Sequence, residues 1–354
     1  MSQTAVLKKF QIEVVHPAKR RTIQTIDNRF RKDYQTIFQD FLEAFSPFLQ
    51  QLKKTQKSVS YIQISWLRTS LFGAGPLSYS FEAYSEQWYA DVEEEIMEWR
   101  YDWLGDSIQV LHQTLLEEGR KYGVLETEIR KIIYDLYPMF NRYVQEAIYH
   151  GFRNYDVASL LKGMNLGTSY VIRMGEYLDY SEKLASSPTI RNNHEKINLL
   201  KQRNTIGEDL RDTYLQGTIL NHGQYSYAKF SGVNFRHNDF SESVMCNTNF
   251  YGAELEGVNF AKSIIADCQF ERGILKGADF RLCKGNIADL NAEVPCLFGV
   301  NFCEADLSGA DFRMAALKGA NFTNAVLTGA KFLLRDRDNW PFSEKQKQAI
   351  DWHS

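Results

Sequence analysis

Several features that mark particular classes of protein are absent from this 354-residue sequence. Its five cysteines include no C-x-x-C pair, and an odd number of unpaired cysteines is typical of free thiols in a reducing compartment. The sequence contains no run of about 18 apolar residues, which excludes a membrane-spanning helix. The first twenty residues contain no apolar segment like that of a secretory signal, so we expect a cytoplasmic protein.

An excess of charge of one sign is also absent. The sequence has 41 Lys and Arg against 44 Asp and Glu, a formal net charge of −3. Such a balance gives no strong field for attracting nucleic acid, so we expect no direct nucleic-acid binding. Because 44% of the residues are hydrophobic, a disordered chain is excluded, and the length allows two domains.

Motifs of enzymes and metal sites are missing too. The seven histidines show no H-x-x-x-H or H-E-x-x-H spacing, and no G-x-S-x-G nucleophile motif occurs. Gly73-Ala74-Gly75 lies between two predicted strands, which favours a turn over a phosphate-binding loop. Glu93, Glu94 and Glu95 would point in different directions on a helix, which favours a solvated face. We therefore predict no enzyme activity, no cofactor and no metal site.

A repeat of five residues fills much of the C-terminal part. Every fifth residue from Leu210 to Leu290 is apolar except Gly285, and after a two-residue insertion the series continues from Leu297 to Phe332. A small residue usually precedes the centre by two positions, Asp or Asn precedes it by one, and Gly often follows by two. Neither a helix nor a strand places every fifth side chain on one face. The pattern predicts a coil of short straight segments and tight turns.

Individual blocks carry a resemblance to a known family. Ala305-Asp306-Leu307-Ser308-Gly309 and Ala320-Asn321-Phe322 resemble the A-(D/N)-(L/F)-x-x unit of pentapeptide-repeat proteins. The resemblance spans residues 208–334. It implies a right-handed quadrilateral β-helix with four units per coil and about six coils, with the central Leu or Phe pointing inward.

A coil of 20 residues would stack phenylalanine on phenylalanine and aliphatic residues on aliphatic residues. The first predicted phenylalanine column contains Phe240, Phe260, Phe280, Phe302 and Phe322, and the second contains Phe230, Phe250, Phe270, Leu290, Phe312 and Phe332. The first predicted aliphatic column contains Leu255, Leu275, Leu297 and Leu317. The second contains Met245, Ile265, Gly285, Leu307 and Leu327. The alternation of phenylalanine and aliphatic residues continues in step after the two-residue insertion. Asn291–Cys296 is therefore predicted to form a small outward bulge.

Residues 1–185 lack the five-residue period and predict a mainly α-helical domain. Apolar residues from Ile23 to Leu52 recur at spacings of three and four, which indicates a helix. Alternation near 58–83 predicts a β-hairpin. Further helices are predicted from Ser85 to Trp103, after Thr127 with an interruption at Pro138, and from Leu166 to Leu184. Four tryptophans favour a core over a ligand cage: Trp66, Trp88, Trp99 and Trp103.

Both ends of the repeats are predicted to be covered, because an open solenoid end exposes unpaired backbone. Residues 186–207 are predicted to be a linker that caps the first coil. Residues 335–354 are predicted to cap the last coil with a helix from Glu344 to Trp352, capped by Ser343. The predicted cap residues are Trp340, Phe342, Ile350 and Trp352. Segments 64–70 and 83–89 resemble a region, without an assigned activity, that precedes pentapeptide repeats in proteins of Gram-positive bacteria.

The sequence predicts a non-enzymatic interaction or scaffold protein with an unidentified protein partner, because solenoids usually act by displaying a surface. The family resemblance implies an alternative. Some pentapeptide-repeat proteins mimic duplex DNA, bind DNA gyrase or topoisomerase IV, protect against quinolones and dimerise through their C-terminal ends. Duplex DNA carries about one charge per 1.7 Å. Thr205–Leu334 holds 15 Asp and Glu against 11 Lys and Arg, so the charge disfavours close mimicry.

Overall fold

The chain divides into two compact units in the computed structural model, Met1–Ser187 and Pro188–Ser354. The structure describes residues 3–55, 57–73, 75–91, 95–153, 155–187, 191–287 and 296–354. The N-terminal unit combines helices with a sheet, and the C-terminal unit is built from the five-residue repeats.

The helices of the N-terminal unit are α1 (Gln3–Phe10), α2 (His16–Thr55), α3 (Gly105–Tyr122), α4 (Glu126–Arg153) and the short α5 (Val157–Leu160). A π-helical turn, Gln11–Val15, joins α1 to α2. Helix α2 buries a series of aromatic side chains that includes Phe41, Phe45 and Phe48, which confirms the predicted amphipathic helix. Helix α4 continues through Pro138 as one element.

Five strands of this unit form one mixed sheet in the order β3-β2-β1-β4-β5. They are β1 (Val59–Leu67), β2 (Ser78–Tyr84), β3 (Glu95–Arg100), β4 (Leu166–Glu176) and β5 (Ser181–Ser186). Strands β1 and β2 pair antiparallel in the region predicted to be a hairpin, whereas β1 and β4 pair in parallel. Phe81 of β2 packs against Phe45 of α2, with ring centroids 5.1 Å apart, so α2 covers one face of the sheet.

Two predicted helices are wrong. The segment from Ser85 to Trp103 contains a 3₁₀ turn, Trp88–Ala90, followed by β3, and the segment from Leu166 to Leu184 contains β4 and most of β5. In β3, Trp99 is buried while Ile96 is exposed, an alternation that belongs to a strand. Val92, Glu93 and Glu94 lie outside the described residues. Helix α3 is not indicated by the sequence analysis.

The C-terminal unit begins with α6 (Asn193–Lys201), whose N-terminus carries a capping box formed by Asn192 and Glu195. Four ladders of parallel backbone bridges follow, and in each the paired residues are 20 apart except at the one bridge that crosses an insertion. One of them, which we call the Asp239 ladder, joins Ile219, Asp239, Asn259, Asp279, Asp311 and Lys331. The 20-residue step means that four five-residue units complete one coil.

The insertion between the two blocks of repeats is longer than predicted. Across it the bridge step rises from 20 to 32 residues, as in Asp279↔Asp311 and Lys284↔Ala316, so 12 residues are inserted rather than two. Within the insertion, Cys296 forms a bridge with Ile287. The predicted bulge at Asn291–Cys296 falls on residues outside the described ranges, apart from Cys296.

This longer insertion changes which rings stack. Phe280 stacks on Phe312, with centroids 4.8 Å apart, and Phe270 stacks on Phe302 at 5.1 Å. The predicted continuations from Phe280 to Phe302 and from Phe270 to Phe312 are therefore wrong. Leu290, which was predicted to lie in the second column, is outside the described residues. The aliphatic columns shift in the same way, because Leu275 donates its backbone N–H to Asp306 and so lies over Leu307, not Leu297. Gly285 likewise lies over Leu317, not Leu307.

The C-terminal segment contains β6 (Lys331–Leu333), α7 (Glu344–Ala349) and β7 (Asp351–His353). Ser343 caps α7 in a capping box with Gln346, which confirms the predicted helix start. The predicted helix end at Trp352 is wrong: Ile350 has an extended backbone, and the chain continues as β7, which pairs in parallel with β6.

Candidate interaction surface

The predicted central residues lie inside the repeat coil. The fully or almost fully buried members of its core include Phe240, Phe250, Phe260, Phe270, Phe280, Phe302, Phe312, Phe322, Phe332, Leu255, Leu275 and Leu317. Leu297 is buried as well, but its backbone N–H donates to the carboxylate of Asp267 instead of extending a ladder. These side chains hold the fold together, so any contact with a partner must use the outward positions.

Outward charges on the repeat coil are interleaved in sign. Arg313 pairs with Asp311 at 2.6 Å, and Lys262 pairs with Glu242 at 3.0 Å, one coil away. Other pairs on the coil are Arg236 with Glu254, Arg272 with Glu304, Lys276 with Asp306 and Arg281 with Asp279. Duplex DNA, in contrast, presents uninterrupted negative charge. Among the described residues, each face that carries these acids also carries bases.

The same pairing sets the charge state of the acids. Burial raises the pKa of Asp311, but hydrogen bonds from the Arg313 side chain and backbone outweigh it, and the pKa lies below its ordinary value. The hydrogen bond from Lys262 is the main cause that lowers the pKa of Glu242. Both carboxylates are therefore ionised at neutral pH.

One corner of the coil exposes a series of apolar side chains. The residues three positions after the bridged residues of the Asp239 ladder are His222, Glu242, Lys262, Leu282, Met314 and Leu334. Glu242 and Lys262 form an ion pair, which shows that side chains of this series contact from coil to coil. Leu282, Met314 and Leu334 are 41%, 59% and 52% exposed. We call these three residues the apolar corner.

The backbone at this corner is left-handed, as it is at Glu242 and Lys262 of the same series. Leu282 and Met314 adopt left-handed conformations, with φ of +60° and +62°. For a residue with a Cβ this conformation costs about 1–2 kcal/mol, and the neighbouring ladder places glycines such as Gly277 and Gly309 at its equivalent positions. Exposed apolar groups at adjacent positions are typical of a contact surface.

Within the described residues, a buried carboxylate that was not predicted from the sequence holds the C-terminal end of the insertion on the coil. Asp267 is buried and accepts hydrogen bonds from the backbone N–H groups of Leu297, Phe298 and Gly299 at 2.7–2.8 Å. The Cys296 thiol donates to the same carboxylate at 3.2 Å. Burial is the main cause that raises the pKa of Asp267. No motif marks this residue, because its donors lie about 30 positions further along the chain.

The predicted cap residues do lie on the last coil. Phe342 contacts both Phe322 and Phe332, with centroids 5.1 Å apart in each case, and Trp340 packs on the same two rings. Ile350 is buried, and the Trp352 ring lies 6.0 Å from Phe332. Gln346 donates to the carbonyl oxygens of Phe322 and Ala325. The chain's own C-terminal segment therefore covers this end of the core.

Comparison with protein families agrees with this geometry. A family model described as pentapeptide repeats matches in eight copies, at residues 228–265 and 296–332. The C-terminal unit is a pentapeptide-repeat domain. A comparison with curated protein sequences gives no significant match.

Solved structures of other pentapeptide-repeat proteins resemble parts of the chain. A protein of the Arabidopsis thaliana thylakoid lumen is 28% identical over 35% of this chain and 71% of its own, with a TM-score of 0.22. QnrB1, a plasmid-mediated fluoroquinolone resistance protein, is 15% identical over 43% of this chain and 86% of its own, with a TM-score of 0.23. HetL of Nostoc sp. strain PCC 7120 is involved in regulation of heterocyst differentiation. It is 15% identical over 40% of this chain and 97% of its own, with a TM-score of 0.19.

In the N-terminal unit, Trp66, Trp99 and Trp103 are buried, as expected of core residues, and Trp88 is partly exposed. Among the described residues, no group of three or more His, Cys, Asp or Glu side chains could hold a metal ion. Within those ranges no helix has the length and hydropathy needed to cross a membrane.

Proposed function

We propose that this protein is a non-enzymatic protein-interaction protein of the bacterial cytoplasm. In this proposal the pentapeptide-repeat domain is a right-handed quadrilateral β-helix of about six coils that presents a rigid binding surface. The four parallel ladders with a 20-residue step and the stacked phenylalanines support that geometry. The partner contacts the outside of the coil, because the inside is filled by side chains.

The apolar corner is the observation that carries the proposal. Leu282 and Met314 combine exposure, apolar character and a strained backbone, and Leu334 extends the series. Arg281 and Arg313 flank the corner with their paired aspartates, which gives an apolar centre with a charged rim. Protein interfaces commonly have this arrangement, so the proposed partner is a protein segment with apolar side chains.

The experiment compares a Leu282→Asp/Met314→Asp double variant with an Arg211→Ala control, in which the changed residue belongs to another ladder. Proteins retained by the immobilised wild type are quantified in lysate of the producing organism, and each candidate partner is then purified and titrated. We expect the double variant to bind its partner at least about tenfold more weakly, while the control binds normally and both variants keep the wild-type Tm. Equal binding by all three proteins would overturn the proposed surface.

Type II topoisomerase binding with a C-terminal homodimer is the alternative. The pairing of acids with bases on the coil does not favour DNA mimicry, and the packing of Phe342 and Trp352 on the last coil does not favour dimerisation through that end. A gyrase supercoiling assay with and without a quinolone separates the two functions. The alternative predicts inhibition or protection at sub-micromolar protein, whereas the apolar-corner proposal predicts no effect at tens of micromolar.

A further inference from the structure

The N-terminal unit contains a polar pocket of about 450 Å³ beside the connection between β1 and β2. Six of its lining residues carry the inference: Phe72, Asp102, Gln109, His112, Gln113 and Arg130. Three of these, Gln109, His112 and Gln113, are spaced three and four residues apart on α3, so they share one side of that helix. The pocket volume lies within the range of small-molecule sites.

His112, one of the residues that line this pocket, has a polar atom without a partner among the described residues. The Nε2 atom of His112 is buried and makes no hydrogen bond within the described part of the chain. Burial, followed by the nearby Arg130, lowers the pKa of His112, so the ring is neutral at pH 7 and Nε2 can donate or accept a proton in a hydrogen bond. A buried polar atom without a partner is costly, and a ligand that hydrogen-bonds to it removes that cost.

The pocket also contains charges of both signs. The Arg130 guanidinium lies over the Phe72 ring, 5.3 Å from its centroid, and it pairs with Glu126 at 2.7 Å, which orients its plane. Asp102 lies just before α3, and a Cβ at Gly105 would overlap its carboxylate. The cation suits a ligand carboxylate, and the aspartate suits a ligand ammonium group.

We propose that this pocket binds a small zwitterion of the free amino acid class. Arg130 receives the carboxylate, Asp102 receives the ammonium group, and the Nε2 atom of His112 hydrogen-bonds to a polar atom of the ligand. Asp102 would repel a simple anion, whereas a ligand that carries both charges matches both side chains. The proposal is independent of the apolar corner, which belongs to the other unit.

The experiment titrates each of the common free L-amino acids into the full-length protein, by thermal shift and then by calorimetry. We expect at least one to bind with a Kd below about 1 mM, and Asp102→Asn and Arg130→Gln each to weaken it at least about tenfold. Asp135→Asn and Arg120→Gln are the matched controls, because they change the same charges on α4 and α3 outside this set of lining residues. The controls should bind as the wild type does.

A second measurement avoids any effect of the variants on folding. The N-acetyl and methyl ester derivatives of the binding amino acid each remove one ligand charge, and both should bind the wild type at least about tenfold more weakly. The proposal is overturned if no amino acid binds at about 10 mM, if both pocket variants bind normally, or if either derivative binds as well as the parent.

Discussion

Phe260 shows what one inward residue contributes to the repeat coil. Its ring is fully buried, and its centroid lies 6.0 Å from that of Phe240 and 5.1 Å from that of Phe280. We expect Phe260→Ala to lower the free energy of unfolding by about 3–5 kcal/mol, because it leaves a cavity in a close-packed core. Urea denaturation measures the change, with Met314→Ala as an exposed control that should cost under about 0.5 kcal/mol. A cost below about 1 kcal/mol for Phe260→Ala would contradict the buried stack.

Asp267 is a second residue whose contribution can be predicted. Its carboxylate accepts four hydrogen bonds from residues of the insertion. We expect Asp267→Asn to cost about 1–3 kcal/mol, since the amide group cannot accept all of these hydrogen bonds. Amide exchange at residues 297–299 should accelerate. Asp212→Asn is the matched control: Asp212 has nearly the same φ, +56° against +58°, but its side chain is exposed. Equal effects of the two substitutions would refute the role of Asp267.

At the scale of one ladder, Arg313 controls the titration of Asp311. Since the wild-type pKa of Asp311 is lowered, its contribution to stability is present above the unfolded-state pKa and is lost as the pH falls through the folded-state value. We expect Arg313→Gln to raise the pKa of Asp311 and to reduce stability at neutral pH but not near pH 2. Carboxyl ¹³C NMR titration measures the pKa. In the control Arg211→Gln, which removes the partner of Asp209, the Asp311 titration should be unchanged.

The contribution of the C-terminal cap, residues 335–354, to the stability of the last coil can also be measured. Trp352 packs on Phe332 and Phe342, and its indole N–H donates to the carbonyl of Lys347 at 2.9 Å, which ties β7 to α7. We expect Trp352→Ala to lower the melting temperature, because it uncovers the last coil. Calorimetry on the wild type, the variant and an exposed-site control, Glu344→Ala, tests this. Unchanged melting of the Trp352 variant would show that the cap does not stabilise the coil.

At the scale of the whole molecule, the C-terminal unit has a core formed by its own residues, from Leu200 to Ile350. We expect a fragment of residues 188–354 to fold without the N-terminal unit and to unfold cooperatively, because each coil stabilises its neighbours. Circular dichroism during thermal denaturation checks this. A fragment without a cooperative transition would mean that residues 1–187 are required for the repeat fold.

Much of the repeat domain could be predicted from the sequence, because its five-residue period is a local property that each stretch of the repeat region displays. The inward phenylalanines, the start of α7 at Ser343 and the four cap residues follow from local pattern. Helix α2 was predictable for the same reason, since its apolar spacing extends over many turns.

Only the tertiary structure decided the features that depend on remote partners. Strand β4 pairs with β1, about a hundred residues earlier, and this pairing prevails over a helix-like spacing. The stacking of Phe280 on Phe312 depends on a 12-residue insertion whose apolar residues happen to continue the five-residue series. The apolar corner and the pocket at His112 arise when distant segments meet. The sequence by itself determined the kind of repeat and its core, and tertiary contacts determined which side chains became neighbours.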